Sequence, residues 1–292
     1  MSQQQHDADA DYRFHRRFDR LGRLYGDAAV TRLMQKRVTV FGLGGVGSFA
    51  AEALARSAVG RLKLVDFDEV CVTNVNRQLQ ALKGTIGRPK AEVLAERLAA
   101  INPRAEVVAT AMFYNAARSE QLLGDMPDFV VDCIDNISAK AHLLAACRER
   151  GIAVVSSMGA AAKRDPTRVE ISDLSQTRVC PLARDVRKIL RRKYGFPDEG
   201  PMGVAAVFSS EARAWPRELT YDKGQGFRCV CPNRHPEHTC DQRTLIDGTA
   251  VFVTGTFGLV AASHVVNTLT ADLVSDALPA SSRFDTEPST VR

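Results

Sequence analysis

The chain has 292 residues, 45% hydrophobic and 25% charged, enough for one large domain or two small ones with a sizeable core. A formal net charge of +5 permits a nucleic-acid partner without specifying one. Seven scattered cysteines, an odd number, argue against a disulfide framework and read as reduced thiols of a cytoplasmic protein, and the polar N-terminus carries no secretory apolar run.

In chain order, residues 1–12 and 273–292 are polar enough to be expected as disordered tails. Between them, "RVTVFG" predicts a buried strand, "GGVGSFAAEALARSA" a helix and "RLKLVD" a second strand. "PKAEVLAERLAAIN" predicts a helix with Pro89 in its first turn, where no amide hydrogen is missed. "AEVVATAM" and "DFVVDCID" follow as strands, "SAKAHLLAACRERG" as a helix ending at Gly151, and "IAVVSS" as a strand. This alternation implies βαβ units, so the expected fold is α/β: a Rossmann-like, mostly parallel sheet with helices on both faces.

Beyond Ser157 the periodicity loosens. "RVEISDL" predicts a strand and "PLARDVRKILRRKYG" a helix, whereas 194–247 reads as loop and insertion. The apolar run Gly248 to Leu269 approaches the length of a membrane span, but its internal glycines, threonines and His264 favour a packed core or interface helix. The expected organisation is therefore an α/β unit over 13–175, and an extension with a closing helix of the same domain over 176–272.

Gly42, Gly44 and Gly47 fit G-x-G-x-x-G between a strand and a helix, a turn that brings backbone amides onto a phosphate. Asp66 ends the second strand, where a carboxylate accepts hydrogen bonds from ribose hydroxyls. So far NAD is the default. The next run, with Asn74, Asn76, Arg77 and Gln78 and then Lys90, is not what hydride transfer requires. Cations grouped there suit attack on the α-phosphate of ATP, where negative charge accumulates and pyrophosphate leaves. Asp135, at the end of a strand, can hold Mg²⁺ or simply cap the next helix.

"GLGGVG", "DFDEV", "NVNRQ", "GRPKAE" and "DCIDN" resemble the successive motifs of the ThiF/MoeB/HesA family, bacterial relatives of ubiquitin-activating enzymes. The resemblance implies a homodimer that binds ATP and Mg²⁺ and adenylates a carboxylate. It assigns Gly42, Gly44, Gly45 and Gly47 to the phosphate loop, Asp66 to the ribose and Asn74 to site geometry. It also assigns Arg77 and Lys90 to the phosphates and Asp135 to the metal. In "RFDR", Arg20, with Arg17 as the alternative, is similar to an arginine that reaches a neighbouring subunit's ATP. "CPLARDVRKILRR", "VFSSE" and "FVTGTFGLVAASHVV" resemble a tRNA-modifying branch of the family. That likeness implies a tRNA carrying threonylcarbamoyladenosine as substrate, activation of its threonyl carboxylate, and ring closure with loss of water. The alternative is activation of the C-terminal glycine of a ubiquitin-like sulfur carrier, and a sulfur-relay partner such as a cysteine desulfurase stays open. From outside this chemistry come a nucleotide-binding scaffold or an NAD-dependent oxidoreductase.

On the helix from Pro181, Arg184, Arg187, Lys188, Arg191 and Arg192 share one face and suit a phosphate backbone, with a solvated basic face as the bland alternative. Cys229, Cys231, His235, His238 and Cys240 crowd one short run, but C-x-C is poor spacing for structural zinc. Of Cys180, Cys229, Cys231 and Cys240, any could be a nucleophile, although cyclising an acyl-adenylate requires none. Cys71, Cys133 and Cys147 read as buried small hydrophobes.

Overall fold

The structure, a computed structural model, describes residues 11–221, 230 and 246–274. The expected tails lie largely outside that range, as does the Cys229 to Cys240 cluster. The chain is already helical at Asp11, whose carboxylate pairs with Arg104 at 2.6 Å. Two short helices follow that the sequence pattern did not announce, α1 (Asp19–Tyr25) and α2 (Asp27–Leu33).

The core is one seven-stranded sheet in the order β3-β2-β1-β4-β5-β7-β6. Its strands are β1 (Arg37–Phe41), β2 (Arg61–Val65), β3 (Glu106–Thr110), β4 (Phe129–Asp132), β5 (Ala153–Ser157), β6 (Val169–Asp173) and β7 (Ala205–Ser209). All pairings are parallel except β6 with β7. β1 lies between β2 and β4, so the chain moves outward to β2 and β3 and then crosses back to β4. That reversal opens a crevice at the carboxyl ends of β1 and β4, where open α/β sheets bind ligands.

β7 corrects the sequence reading, which left 194–247 as loop. Its five residues are short, rich in alanine and flanked by glycine and proline, so no period of two stands out. They are nevertheless almost wholly buried, wedged between β5 and the edge strand β6. The sheet thus continues from the first half of the chain into the extension.

Helices cover both faces. On one lie α3 (Gly47–Arg56), α4 (Lys90–Ile101) and the final helix α8 (Val251–Thr270). On the other lie α5 (Ser119–Leu123), α6 (Ile137–Arg150) and α7 (Pro181–Tyr194). Pro89 is the residue before α4 rather than within its first turn.

α8 is long and apolar enough to cross a membrane, but half of it is buried in the fold. Val253, Phe257, Ala261 and Val265 enter the same cluster as Val38, Val40 and Leu54. Its internal glycines let two backbones meet. A Cβ on Gly258 would lie 2.4 Å from the Val46 carbonyl and 2.9 Å from the Ala50 amide. Gly258→Ala should therefore lower stability by about 1–3 kcal/mol in urea unfolding, the usual cost of overpacking. Ser263→Ala, on the exposed face of the same helix, should change little.

Candidate functional site

The site is built on two buried aspartates, one at the end of each strand flanking β1. Asp66 follows β2. Its Oδ2 accepts the Leu43 amide at 2.5 Å and its Oδ1 accepts the Asp68 amide at 2.8 Å. One carboxylate thereby holds both the glycine turn and the loop after β2. Burial pushes its proton affinity up, while the Lys90 ammonium works against that.

Lys90 is buried at the start of α4, and its Nζ donates to Asp68 Oδ2 at 2.7 Å. Burial alone would lower its pKa. Asp66, Asp68 and Asp135 outweigh that and hold it above the ordinary lysine range, so it is a fixed cation. Asp68 was quoted in the sequence motif but given no role; it is the direct partner of Lys90.

Asp132 ends β4 and is fully buried with Lys140 of α6. Lys140 Nζ donates to Asp132 Oδ2 at 2.7 Å and to the Ser157 carbonyl at 2.9 Å, and the Ser156 hydroxyl donates to the same carboxylate oxygen at 2.6 Å. Asp132 Oδ1 accepts the Ile134 amide at 3.1 Å, bending the chain towards Asp135. Asp132, Lys140 and Ser156 were missed in the sequence, where Asp132 and Lys140 read as parts of a strand and a helix. An eight-residue separation carries no periodic signal for such a pair.

The next helix is capped by Asn136, whose Oδ1 accepts the Ala139 amide at 3.0 Å. Asp135 is therefore not the cap. It is exposed at the crevice, and its charge reaches Lys90. Such a carboxylate fits a hydrated divalent cation.

The glycines divide the work. Gly42 has φ +81°, and a Cβ there would lie 2.7 Å from the Cys133 carbonyl. A Cβ on Gly47 would fall 1.8 Å from the Gly42 carbonyl, and one on Gly45 would meet Thr254 and the Arg77 stem at 3.0 to 3.2 Å. Only a single atom, Gln78 Nε2 at 4.0 Å, comes near a Cβ on Gly44. Three glycines are thus required by the protein itself, whereas Gly44 is free for a ligand to approach.

Asn74 is buried, and its Oδ1 accepts the Cys71 amide at 3.0 Å, shaping the turn that presents Arg77. The Arg77 guanidinium donates to the Thr73 carbonyl at 2.9 Å and to Asn76 Oδ1 at 3.0 Å, with its stem beside Gly45. Gln80 Nε2 donates to the Leu43 carbonyl at 2.6 Å and so braces the glycine turn from behind.

At the N-terminus, Asp19 engages Arg16 and Arg23, each at 3.1 Å. Arg17 and Arg20 are exposed, with no side-chain hydrogen bond to the described residues. On α7, Arg184, Lys188 and Arg192 are exposed at a spacing of four, although Arg184 also meets Asp185 at 3.0 Å. Arg187 is spent on the Leu174 carbonyl, the Thr177 carbonyl and the Thr177 hydroxyl, and Arg191 donates to the Pro197 carbonyl at 3.1 Å. The outward stripe is narrower than the sequence pattern implied.

Burial pushes the Cys133 and Cys147 thiols up to about 12, too high for ready nucleophiles. Cys71, Cys147 and Cys180 are buried while Cys133, expected to be buried, is half-buried beside the crevice backbone, and all four are free. His264 meets Phe129 edge-on with ring centroids 6.0 Å apart, and burial lowers its pKa. No metal-ligating cluster occurs among the described residues.

A glycine turn at the sheet's switch point, with Lys90 and Arg77 to one side and Asp135 to the other, is an arrangement able to receive the phosphates of a nucleotide in a doubly wound α/β protein. The family model of the ThiF family matches residues 18–289, and the chain belongs to that family. It is 39% identical over 258 residues to the tRNA threonylcarbamoyladenosine dehydratase of Haemophilus influenzae, covering 88% of this chain and 94% of that one. The crystal structure of the Escherichia coli tRNA N6-threonylcarbamoyladenosine dehydratase TcdA with ATP superposes with a TM-score of 0.75 at 37% identity, over 88% of this chain and 95% of that chain. The same protein with AMP gives a TM-score of 0.77. The Escherichia coli molybdopterin-synthase adenylyltransferase is 36% identical over 42% of this chain and 49% of its own length.

The division among the glycines predicts two different failures. Gly47→Ala should lower the melting temperature sharply. Gly44→Ala should melt like the wild type yet bind ATP at least about tenfold more weakly, the scale of lost phosphate contacts. Calorimetric melting and ATP titration separate the two.

Proposed function

We propose that this chain is an ATP-dependent dehydratase acting on threonylcarbamoyladenosine in tRNA. The observation that carries the reading is the coincidence of the phosphate site with a near full-length match to relatives of that name. The molybdopterin-synthase relative, by contrast, matches less than half of the chain.

In the first step a threonyl carboxylate oxygen attacks the α-phosphorus of ATP, forming a P–O bond as the bond to pyrophosphate breaks. The carboxylate is ionised at neutral pH, so positioning and charge, rather than a strong base, do the work. Lys90 is a cation throughout, held at the first turn of α4 by Asp68. Arg77 supplies a second positive group beside Gly45. Asp135 would hold Mg²⁺, which would neutralise phosphate charge when bound. In the second step the carbamoyl group attacks the acyl carbon and releases a proton, and AMP leaves with its bonding pair and the former carboxylate oxygen, so that relative to its free acid the nucleoside loses the elements of one water. Ring closure is intramolecular and gains from proximity.

The tRNA backbone is assigned to the α7 stripe of Arg184, Lys188 and Arg192. The exposed Val251, Phe252 and Leu259 on α8 are assigned to a homodimer contact, through which Arg20 would reach the partner's ATP. A tRNA substrate and the four free cysteines among the described residues suit the cytoplasm.

Incubating tRNA that carries threonylcarbamoyladenosine with enzyme and Mg-ATP should remove the mass of one water from that nucleoside, seen by nucleoside mass spectrometry, and only when ATP is present. AMP release stimulated by a small carrier protein and not by modified tRNA would replace the reading with the sulfur-carrier alternative. Arg77→Ala should cut AMP formation by roughly a hundredfold or more, the scale of losing one preorganised electrostatic contact, and Lys90→Ala should do the same in a less stable protein. Lys188→Glu with Arg192→Glu should weaken tRNA binding and flatten its salt dependence by about two phosphate contacts, with ATP affinity unchanged.

A further inference from the structure

Lys163 follows β5 at the carboxyl edge of the sheet and is 6% exposed. A buried ammonium ordinarily has a carboxylate partner, because desolvating an unpaired charge is costly. Among the described residues Lys163 has none. Its Nζ donates to the backbone carbonyl of Glu211. The carboxylate of that glutamate is turned away onto the backbone amides of Arg164, at 3.0 and 3.1 Å, and Asp165, at 2.9 Å. The nearest acid is therefore committed to shaping the loop, and the cation is left with donors to spare.

The surroundings connect this lysine to the phosphate site. β4 and β5 are parallel neighbours, with Asp132 opposite Ser156, so the loops bearing Asp135 and Lys163 leave the same edge side by side. The residue before it, Ala162, donates its amide to the Gly248 carbonyl at 2.8 Å. The next residue, Thr249, accepts Asn76 Nδ2 at 3.0 Å, from the run that carries Arg77. Lys163 thus belongs to the wall of the sheet's carboxyl edge that is tied, through Gly248 and Thr249, to the run carrying Arg77.

The backbone there is also strained. Ala162 has φ +60° and Val179, one residue before the start of the turn into α7 at Cys180, has φ +65°. A β-branched residue in the left-handed region is a genuine outlier, and such outliers persist where the surroundings impose them, often at ligand sites. Burial lowers the Lys163 pKa, and the nearby Glu211 charge offsets this only in part.

We propose that Lys163 receives the carboxylate of the substrate that is activated by ATP. This rests on the dehydratase reading and names the residue that selects the modified nucleoside. A carboxylate paired with Lys163 would be oriented for attack, and an adenosine lacking the threonyl group would leave the lysine unmatched. Lys163 is a binding residue in this account, and Lys90 and Arg77 keep the phosphates.

The test compares tRNA carrying threonylcarbamoyladenosine with the same tRNA lacking it. Binding is measured in the presence of α,β-methylene ATP, whose bridging carbon blocks departure of the leaving group. Wild-type enzyme should prefer the modified tRNA by roughly ten- to hundredfold, the range of one charge-assisted hydrogen bond. Lys163→Met should erase that preference while leaving affinity for unmodified tRNA and for the ATP analogue unchanged, and Lys163→Arg should keep part of it. Should Lys163→Met not fold, Lys163→Gln retains a donor for the Glu211 carbonyl and carries the same expectation. Equal weakening of both tRNAs would overturn the proposal in favour of a phosphodiester contact. An unaltered preference would overturn it outright. Wild-type enzyme that makes no AMP with modified tRNA would remove the dehydratase reading and the proposal with it.

Discussion

A buried carboxylate at the end of a strand is the constraint on which this structure turns, and it occurs twice. Asp66 just after β2 and Asp132 as the last residue of β4 flank the central strand β1, and each uses one oxygen to capture an amide two residues ahead. Each uses its other oxygen to fix something else: the Leu43 amide of the glycine turn for Asp66, the Lys140 ammonium and Ser156 hydroxyl for Asp132. A carboxylate out of water is tolerable only when its lone pairs are filled. Filling them here forces the chain leaving each strand to bend in one way. The crevice between the two bends is consequently shaped before any nucleotide arrives, as a site that stabilises charge by preorganisation requires.

The same logic sorts the charged groups into scaffold and surface. Lys140 is saturated by protein oxygens and belongs to the frame. Lys90 is paired with Asp68 and sits in the field of three acids, which keeps it ionised in spite of burial. Arg187 looks like a tRNA ligand by spacing, yet it is consumed by carbonyls of the turn before α7. Arg184, Lys188 and Arg192 recur every four residues on the outer face and keep their charge at the surface. Helical spacing can nominate a face, but only the partners each cation finds decide which of its members face solvent.

Much of the frame was legible in the amino-acid pattern, because the parallel strands carry contiguous β-branched runs and the helices between them are long. The glycine turn was legible too, since a strand, three spaced glycines and a helix make a local signal. β7 was not, because its burial comes from neighbours distant in sequence and its small residues carry no alternation. The Asp132–Lys140 pair and the role of Asp68 escaped for a related reason. Both depend on side chains meeting across separate elements, and nothing in a one-dimensional spacing distinguishes them from surface charges. Asp135 lies between these cases: its position at a strand end was visible, but only the capping of α6 by Asn136 removed the structural alternative for it.

Carboxylate adenylation places similar demands on a protein whatever acid is activated, so the phosphate site alone leaves the acyl group unspecified. On the proposed reading Gly44, Lys90, Arg77 and Asp135 would address the triphosphate and would serve a carrier-protein terminus as well as a modified nucleoside. What can discriminate is the far wall of the crevice, built from the β5 loop, the segment before α8 and the strand pair β6 and β7. There the chain places a third buried lysine, which has no carboxylate ion pair among the described residues, and an outer helix with cations at the surface. A flexible peptide tail needs an extended groove and little surface charge beyond it, whereas a folded polyanion needs a local anchor for its reactive group and a charged face at some distance. The second arrangement is the one that Lys163 and α7 would supply on the proposed reading, so that the wall opposite the phosphates, rather than the phosphate site itself, would bear on the choice of substrate.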